Sequence, residues 1–146
     1  MGTIKVGWRE WCLLPELGLP LIKAKVDTGA KTSCLHAFSI KEYQKNGKKW
    51  VEFSIHPYQD DTETVVYCNA EVIDERDVTD SGGHKEKRYV ISTKLQLNDQ
   101  EWPIEMTLTN RDTMLFRMLL GRTAMAQRII IDPSASFLLG QPTDGD

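Results

Sequence analysis

The run Val26-Asp27-Thr28-Gly29-Ala30 decides how this chain is interpreted. It follows the stretch Leu19–Val26, in which apolar residues alternate with polar ones in the two-residue period of a β-strand. The small residues after the carboxylate let the backbone turn sharply, so Asp27 can be presented at a strand end. Taken alone, however, Asp-Thr-Gly is also ordinary turn chemistry.

The rest of the chain shows the same short strand pattern. It recurs around Ile4–Trp8, Val51–Ile55, Glu63–Ile73 and Ile104–Leu108. Helix signals are confined to Arg122–Arg128 and to one turn at Ser39–Gln44. Many short strands with few helices predict an all-β sandwich or small barrel.

The segment from Asp74 to Arg88 is highly charged and has Ser81-Gly82-Gly83 near its middle. Strand-like runs flank it on both sides. Glycine supplies the positive φ of a tight turn, so the segment predicts a long hairpin with a glycine tip. From composition alone, a solvated hairpin without a function explains it equally well.

A third feature, Met118-Leu119-Leu120-Gly121-Arg122, places large apolar residues before a glycine and a short helix. Retropepsins combine these elements: an Asp-Thr-Gly loop, a glycine-tipped flap, and a strand ending in two hydrophobic residues and Gly, followed by Arg or Asn. The order of the elements here is the same. The chain therefore resembles the retropepsin-like aspartic proteases.

The resemblance extends from Gly7 to Gly140. Over this range the chain resembles the bacterial proteins catalogued as ATP-dependent zinc proteases, which are retropepsin-like in fold. The residues that carry it are Gly7-Trp8-Arg9-Glu10, Leu13 to Gly18, Ile22 to Ala30, Leu119 to Ala124, Asp132-Pro133-Ser134 and Leu138-Leu139-Gly140. The fold implied is a small closed all-β barrel with a short C-terminal helix.

The resemblance also implies a site and an assembly. Asp27, Thr28 and Gly29 would be the catalytic loop, and Ala30, Lys31 and Arg122 would contact a peptide or protein substrate. Ser81, Gly82 and Gly83 would form the flap. The chain has one Asp-Thr-Gly, and Asp132 precedes a proline that fixes a different backbone path. The second carboxylate is therefore expected from Asp27 of a second copy in a homodimer.

The zinc and ATP in that family label have little support in these residues. The helical His-Glu-x-x-His of a zincin and the P-loop pattern are both absent from the sequence. Cys34 and His36 would share a strand face, and Cys12 or Cys68 could complete a zinc site, but nothing in the spacing demands it. No cofactor is expected, with zinc kept as an alternative.

Lys31 departs from the viral pattern, in which an acidic residue often pairs with the arginine matching Arg122. Lys23, Lys25, Lys31 and Arg122 are near one loop in sequence, which raises the hypothesis of a cleft that favours acidic peptides or an acidic partner. The alternative is that these lysines lie on the solvent face of the strand.

Composition adds limits. A length of 146 residues with 40% hydrophobic residues suits one domain, 1–146, with a polar tail at 141–146. The net charge of −3 argues against a general nucleic-acid binder. No apolar run could cross a bilayer, so a cytoplasmic protein without a membrane partner is expected. The three dispersed cysteines suggest reduced, buried thiols.

Three functions remain open at this point. The first is a homodimeric aspartic endopeptidase. The second is a retropepsin-like module that binds a peptide or protein without cleaving it. The third is a zinc-dependent hydrolase.

Overall fold

The computed structural model describes residues 3–58, 61–79, 82–110 and 116–140. Within them the chain is almost entirely β-structure, with a 3₁₀ turn at Pro15–Leu17 and a short helix, α1 (Arg122–Met125). The strands are β1 (Ile4–Val6), β2 (Arg9–Leu14), β3 (Leu19–Val26), β4 (Ser33–Ala37), β5 (Ser39–Lys45), β6 (Lys48–Ile55), β7 (Val66–Glu71), β8 (Asp74–Thr79), β9 (Lys85–Leu97), β10 (Gln100–Asn110), β11 (Met118–Leu120) and β12 (Ile129–Ile131). The all-β prediction is confirmed.

The main sheet closes on itself. Its order is β10-β4-β11-β3-β2-β9, and β9 also pairs with β10 along an antiparallel ladder. β8 extends the sheet from β9 as the outer strand of a hairpin. Within the ring, β11 runs parallel to β3, and β4 runs parallel to β10. Closure removes most unpaired strand edges, which would otherwise be available for pairing with another chain.

Alternation along the strands explains the core. Ile22 and Ala24 of β3 are fully buried, as the two-residue period predicts. The long strands β9 and β10 do the same with Ile91, Leu95 and Met106. Each such large apolar side chain stabilises the fold by about 1.5–3 kcal/mol when fully buried. The apolar faces of the ring strands thus point inward to one core.

The predicted helical turn at Ser39–Gln44 is wrong. These residues belong to β5, which pairs antiparallel with β6 in a separate three-stranded sheet of order β5-β6-β7. The β5–β6 turn contains Asn46 and Gly47, both with positive φ (54° and 77°). Asn-Gly with two positive φ values is the preferred chemistry of a two-residue hairpin turn. That local signal outweighs the weak helix propensity of the preceding residues.

A buried carboxylate joins the two ends of the described chain. Glu10 is 1% exposed and accepts backbone hydrogen bonds from Gly7 (2.8 Å), Leu138 (2.8 Å) and Leu139 (3.2 Å). Nearby, β1 and β12 form a parallel pair. The motifs that the sequence places at opposite ends of the chain are therefore in contact through one side chain.

All three cysteines are free and buried, as the sequence predicts. Burial raises the pKa of the Cys68 thiol to about 12. Burial, with a smaller contribution from the nearby Glu10, raises the pKa of Cys12 to about 12. Within the described residues, no helix is long and apolar enough to cross a membrane.

Candidate active site

The Asp27 loop leaves β3 in a tight, hydrogen-bonded turn. The Asp27 amide donates to the carbonyl of Leu120 at 2.9 Å, and the Ala30 amide donates to the carbonyl of Asp27 at 3.2 Å. The amide of Gly29 donates to Asp27 Oδ1 at 3.0 Å. The loop therefore fixes the carboxylate from its own backbone while leaving it partly exposed.

The segment after β11 supports this loop from behind. The amide of Arg122 donates to the carbonyl of Ala30 (2.9 Å), and that of Thr123 donates to Lys31 (3.0 Å). Gly121 is required by close approach, because a Cβ there would lie 2.6 Å from the carbonyl carbon of Thr32. The two motifs that the sequence singles out are thus packed backbone against backbone.

Arg122 has a partner that the sequence did not suggest. Its Nη1 donates to the backbone carbonyl of Thr28 at 3.0 Å. Lys31 and Thr28 are both exposed. Arg122 therefore holds the loop without an acidic residue at position 31, and the departure from the viral pattern does not prevent the loop from forming.

The predicted hairpin is present. β8 and β9 pair from Asp74–Val90 to Thr79–Lys85. At the described part of the tip, Gly83 has a φ of 83°, a conformation that glycine adopts without steric cost. Gly82 is exposed. Ser81, the third predicted flap residue, lies outside the described residues.

A cleft of about 920 Å³ separates the Asp27 loop from the hairpin. Its lining includes Asp27, Gly29, Ala30 and Lys31 from the loop, Arg76 to Thr79 and Arg88 from the hairpin, and Cys34, His36, Thr107 and Leu119 from the sheet. Thr28, Gly82 and Arg122 are not among the lining residues. The cleft can hold an extended segment of another chain between the carboxylate and the hairpin.

Several polar side chains lie together on one side of the cleft. Cys34 and His36 lie two residues apart on β4 and face it together, as the strand period predicts. In the ladder of β4 and β10, Thr107 lies opposite Cys34 and Thr109 lies opposite His36. From β9, the guanidinium of Arg88 reaches Cys34, with Nη1 at 3.6 Å from Sγ.

The positive charge of the cleft differs from the prediction. Lys31 lines it, but Lys23 lies over the Trp11 ring at 5.4 Å and Lys25 is exposed elsewhere, so neither contributes. Among the lining residues that the structure describes, the cationic side chains besides Lys31 are Arg76 and Arg88 of the hairpin. Sequence analysis missed both, because only the strand register shows which hairpin residues face inward.

The residues considered for zinc do not come together. Cys12 and Cys68 lie in the hydrophobic core, and the Cys68 thiol donates to the carbonyl of Leu17 at 3.3 Å. Cys34 and His36 face the cleft instead. Across the ranges that the structure describes, no three His, Cys, Asp or Glu side chains are grouped to hold a metal ion.

The chain matches a known protein family over most of its length. The model of the family described as "RimB-like: Retropepsin-like aspartic endopeptidase RimB" matches residues 5–142. A crystal structure of a protein with unknown function from Legionella pneumophila superposes with a TM-score of 0.78 and 28% identity, over 94% of this chain and 99% of that one.

Curated relatives carry a different name, "Probable alpha-L-glutamate ligase". The protein from Desulfotalea psychrophila is 54% identical over 136 residues, which are 93% of this chain and 29% of that protein. The protein from Shewanella halifaxensis is 49% identical over 139 residues, 95% of this chain and 30% of that protein. The chain thus spans less than a third of the length of these relatives.

Proposed function

The chain belongs to the RimB-like family of retropepsin-like aspartic endopeptidases, and from this premise we propose that it hydrolyses peptide bonds with Asp27 from each of two copies. The observation that carries the proposal is the Asp27 carboxylate, fixed by the Gly29 amide and opening on the cleft beneath the hairpin. Each chain supplies one such loop, so a second copy completes the site.

The mechanism follows from pairing two carboxylates. Like charges at contact distance cannot both ionise cheaply, so the two share one proton and titrate as a unit. The ionised member accepts a proton from water as the water attacks the scissile carbonyl, and the protonated member polarises that carbonyl. The exposed Thr28 would hold the two loops together across the symmetry axis, and the hairpin would close over the substrate.

Acidic peptides are the substrate class that we propose. Three cationic side chains, Lys31, Arg76 and Arg88, line the cleft against two acidic ones, Asp27 and Asp77. The relatives' name supports the same chemistry, because a peptidase unit joined to a glutamate ligase would meet glutamate-containing peptides. We attribute any ligation to the part of those longer proteins that this chain does not match.

The decisive experiment compares wild type with Asp27→Asn on fluorogenic peptide libraries. We expect turnover by the wild type, inhibition by pepstatin, and loss in the variant with its fold unchanged by circular dichroism. Sizing under assay conditions should give a dimer. A strict monomer that still cleaves peptides would overturn the shared-carboxylate mechanism.

The same assay tests the two alternatives. Activity that is abolished by a chelator but retained in Asp27→Asn would support a zinc-dependent hydrolase. Peptide binding without turnover at any pH would support a non-catalytic module. That the unit is one domain over 1–146, and that it is cytoplasmic, stay predictions.

The substrate class has its own test. Cleavage rates are measured for matched peptides that differ only in glutamate against glutamine. Faster cleavage of the glutamate series is expected, and equal rates would rule out a cleft built for acidic side chains.

A further inference from the structure

Arg88 occupies an unusual position in the cleft. Its side chain is only 11% exposed, although it lines an open site. A largely desolvated cation is expensive unless it is well paired and hydrogen-bonded. The distances to its partners therefore decide whether this charge is fully paired within the chain or can still pair with a ligand.

Those partners are distant. Among the described residues, Glu86 Oε2 accepts a hydrogen bond from Nε at 3.3 Å and lies 3.3 Å from Nη2 as an ion pair, and Cys34 Sγ accepts from Nη1 at 3.6 Å. Charge-assisted bonds between guanidinium and carboxylate are normally about 2.7–2.9 Å long, and the strongest are bidentate. Only one oxygen of Glu86 is engaged here, and a thiol is a weak acceptor.

Arg76, on the neighbouring strand, provides an internal comparison. It donates from Nε to Asp74 and from Nη1 to Glu105, both at 2.8 Å. These are short bonds to two separate carboxylates. The fold therefore pairs one cleft arginine closely and leaves the other with long contacts, although Arg88 is the more buried of the two.

Glu86 is held loosely as well. Its two oxygens accept from Thr109 Oγ1 at 3.2 and 3.4 Å, and its side chain is 38% exposed. A carboxylate with this exposure can turn toward solvent with little loss. It would then leave the guanidinium open to an incoming carboxylate.

We propose that Arg88 is the specificity-determining residue of the cleft, and that it binds a substrate side-chain carboxylate in place of Glu86. This inference rests on the proposed function and adds the residue that selects the substrate. Once Glu86 has turned away, an extended peptide in the cleft can present its carboxylate to the Nε and Nη2 edge of the fork and engage it with both oxygens, where Glu86 uses only one. Glu86 then acts as an internal competitor that keeps Arg88 paired in the empty cleft.

The experiment uses matched glutamate and glutamine peptides with four variants: Arg88→Gln, Arg88→Lys, Glu86→Gln and Lys94→Gln. Lys94 is the matched control, because it carries the same charge on β9 but pairs with Glu101 at the surface. Arg88→Gln should raise KM for the glutamate peptide about tenfold or more and raise KM for the glutamine peptide by much less, so that the preference for glutamate falls.

Arg88→Lys should recover only part of this preference, because an ammonium lacks the planar fork. Glu86→Gln should lower KM for the glutamate peptide by removing the competitor. Lys94→Gln should behave as wild type. An Arg88→Gln enzyme that is active and keeps the wild-type preference would overturn the inference while leaving the proposed function intact.

Binding measurements separate the two proposals if no turnover is found. Fluorescence anisotropy with the labelled glutamate peptide then replaces the kinetic assay. Wild-type binding that Arg88→Gln weakens about tenfold and Lys94→Gln does not would support the role of Arg88 even without catalysis. Binding that is absent in the wild type or equal in both variants would overturn it.

Discussion

Arg76 and Arg88 lie directly opposite each other in the β8–β9 ladder. Like charges in this position destabilise a strand pair, so the hairpin depends on the carboxylates beside them. Arg76 is compensated by Asp74 and Glu105 at 2.8 Å. The cleft thus has two guanidinium groups on one hairpin, and each contacts acidic residues of the same chain.

The Arg76 pairs should make the hairpin sensitive to acid. The hydrogen bond from Arg76, followed by that from the Glu75 amide, holds the pKa of Asp74 below its usual value. A lowered folded-state pKa means that this stabilisation is complete above the unfolded value of about 3.9 and is lost as pH falls through the folded pKa. The protection factors of the β8 amides, which express their exchange relative to the intrinsic rate at the same pH, should fall over that range.

Asp74→Asn should reduce this pH dependence, since the variant has no carboxylate to protonate. Asp132→Asn is the control, because Asp132 also has a lowered pKa but its hydrogen bonds go to Ser134. If Asp74→Asn and wild type show the same acid response in β8, the pairing with Arg76 does not stabilise the hairpin.

Gly121→Ala should damage the Asp27 loop. The new Cβ would lie 2.6 Å from Thr32 C and 2.8 Å from Ser33 N, both backbone atoms that cannot move independently. Overpacking of this kind destabilises by about 1–3 kcal/mol, and here the displaced backbone directly follows the Asp27 loop. We expect a lower free energy of unfolding by urea titration and a larger proportional loss of peptidase activity.

Gly47→Ala is the control for Gly121→Ala. Gly47 has a φ of 77°, so alanine is strained there, but no atom lies within 4 Å of the new Cβ. It should cost about 1 kcal/mol and leave activity per folded molecule unchanged. Equal activity losses in the two variants would contradict a specific effect on the loop.

Glu10→Gln should loosen both ends of the chain. The carboxylate accepts three backbone amides, whereas the glutamine amide group would turn donors toward at least one of them. A buried donor left without an acceptor costs about 1–3 kcal/mol. Hydrogen exchange at Gly7, Leu138 and Leu139 should rise together, and protection that falls at one end alone would disprove the shared clamp.

The two core thiols, Cys12 and Cys68, should react slowly with thiol reagents. With pKa values of about 12, Cys12 and Cys68 are almost entirely protonated at pH 8, and the thiolate is the reacting species. We expect an aromatic disulfide reagent to leave Cys12 and Cys68 unmodified in native protein and to modify both in urea. Rapid modification of Cys12 or Cys68 in the native state, located by mass spectrometry, would show that these thiols are accessible.

The sequence predicted the loop and its support because both depend on local backbone chemistry. Asp27 follows a strand of clear period, and Gly121 is needed wherever two backbones approach so closely. The same reasoning gave the hairpin, since Gly83 has the positive φ expected of its tip. These features are short-range, so a single sequence can display them.

The charges of the cleft were outside the reach of the sequence. Whether Arg88 faces the cleft depends on its register with Arg76 and on closure of the sheet through β10. Both are long-range pairings that leave no local signal. Lys23 and Lys25 suggested a cationic cleft for the same reason: their distance from Asp27 in sequence says nothing about the face that they occupy.

The concealed thiols also make the protein suitable for spectroscopy. A single cysteine introduced at the exposed Lys85, next to the hairpin tip, would stand out as the fast-reacting site for a spin label or fluorophore. Cys12 and Cys68 could then stay in place, so the core would not be repacked, and only Cys34, which lines the cleft, would be replaced by serine. Distances between two labelled copies would report hairpin motion and self-association in one sample.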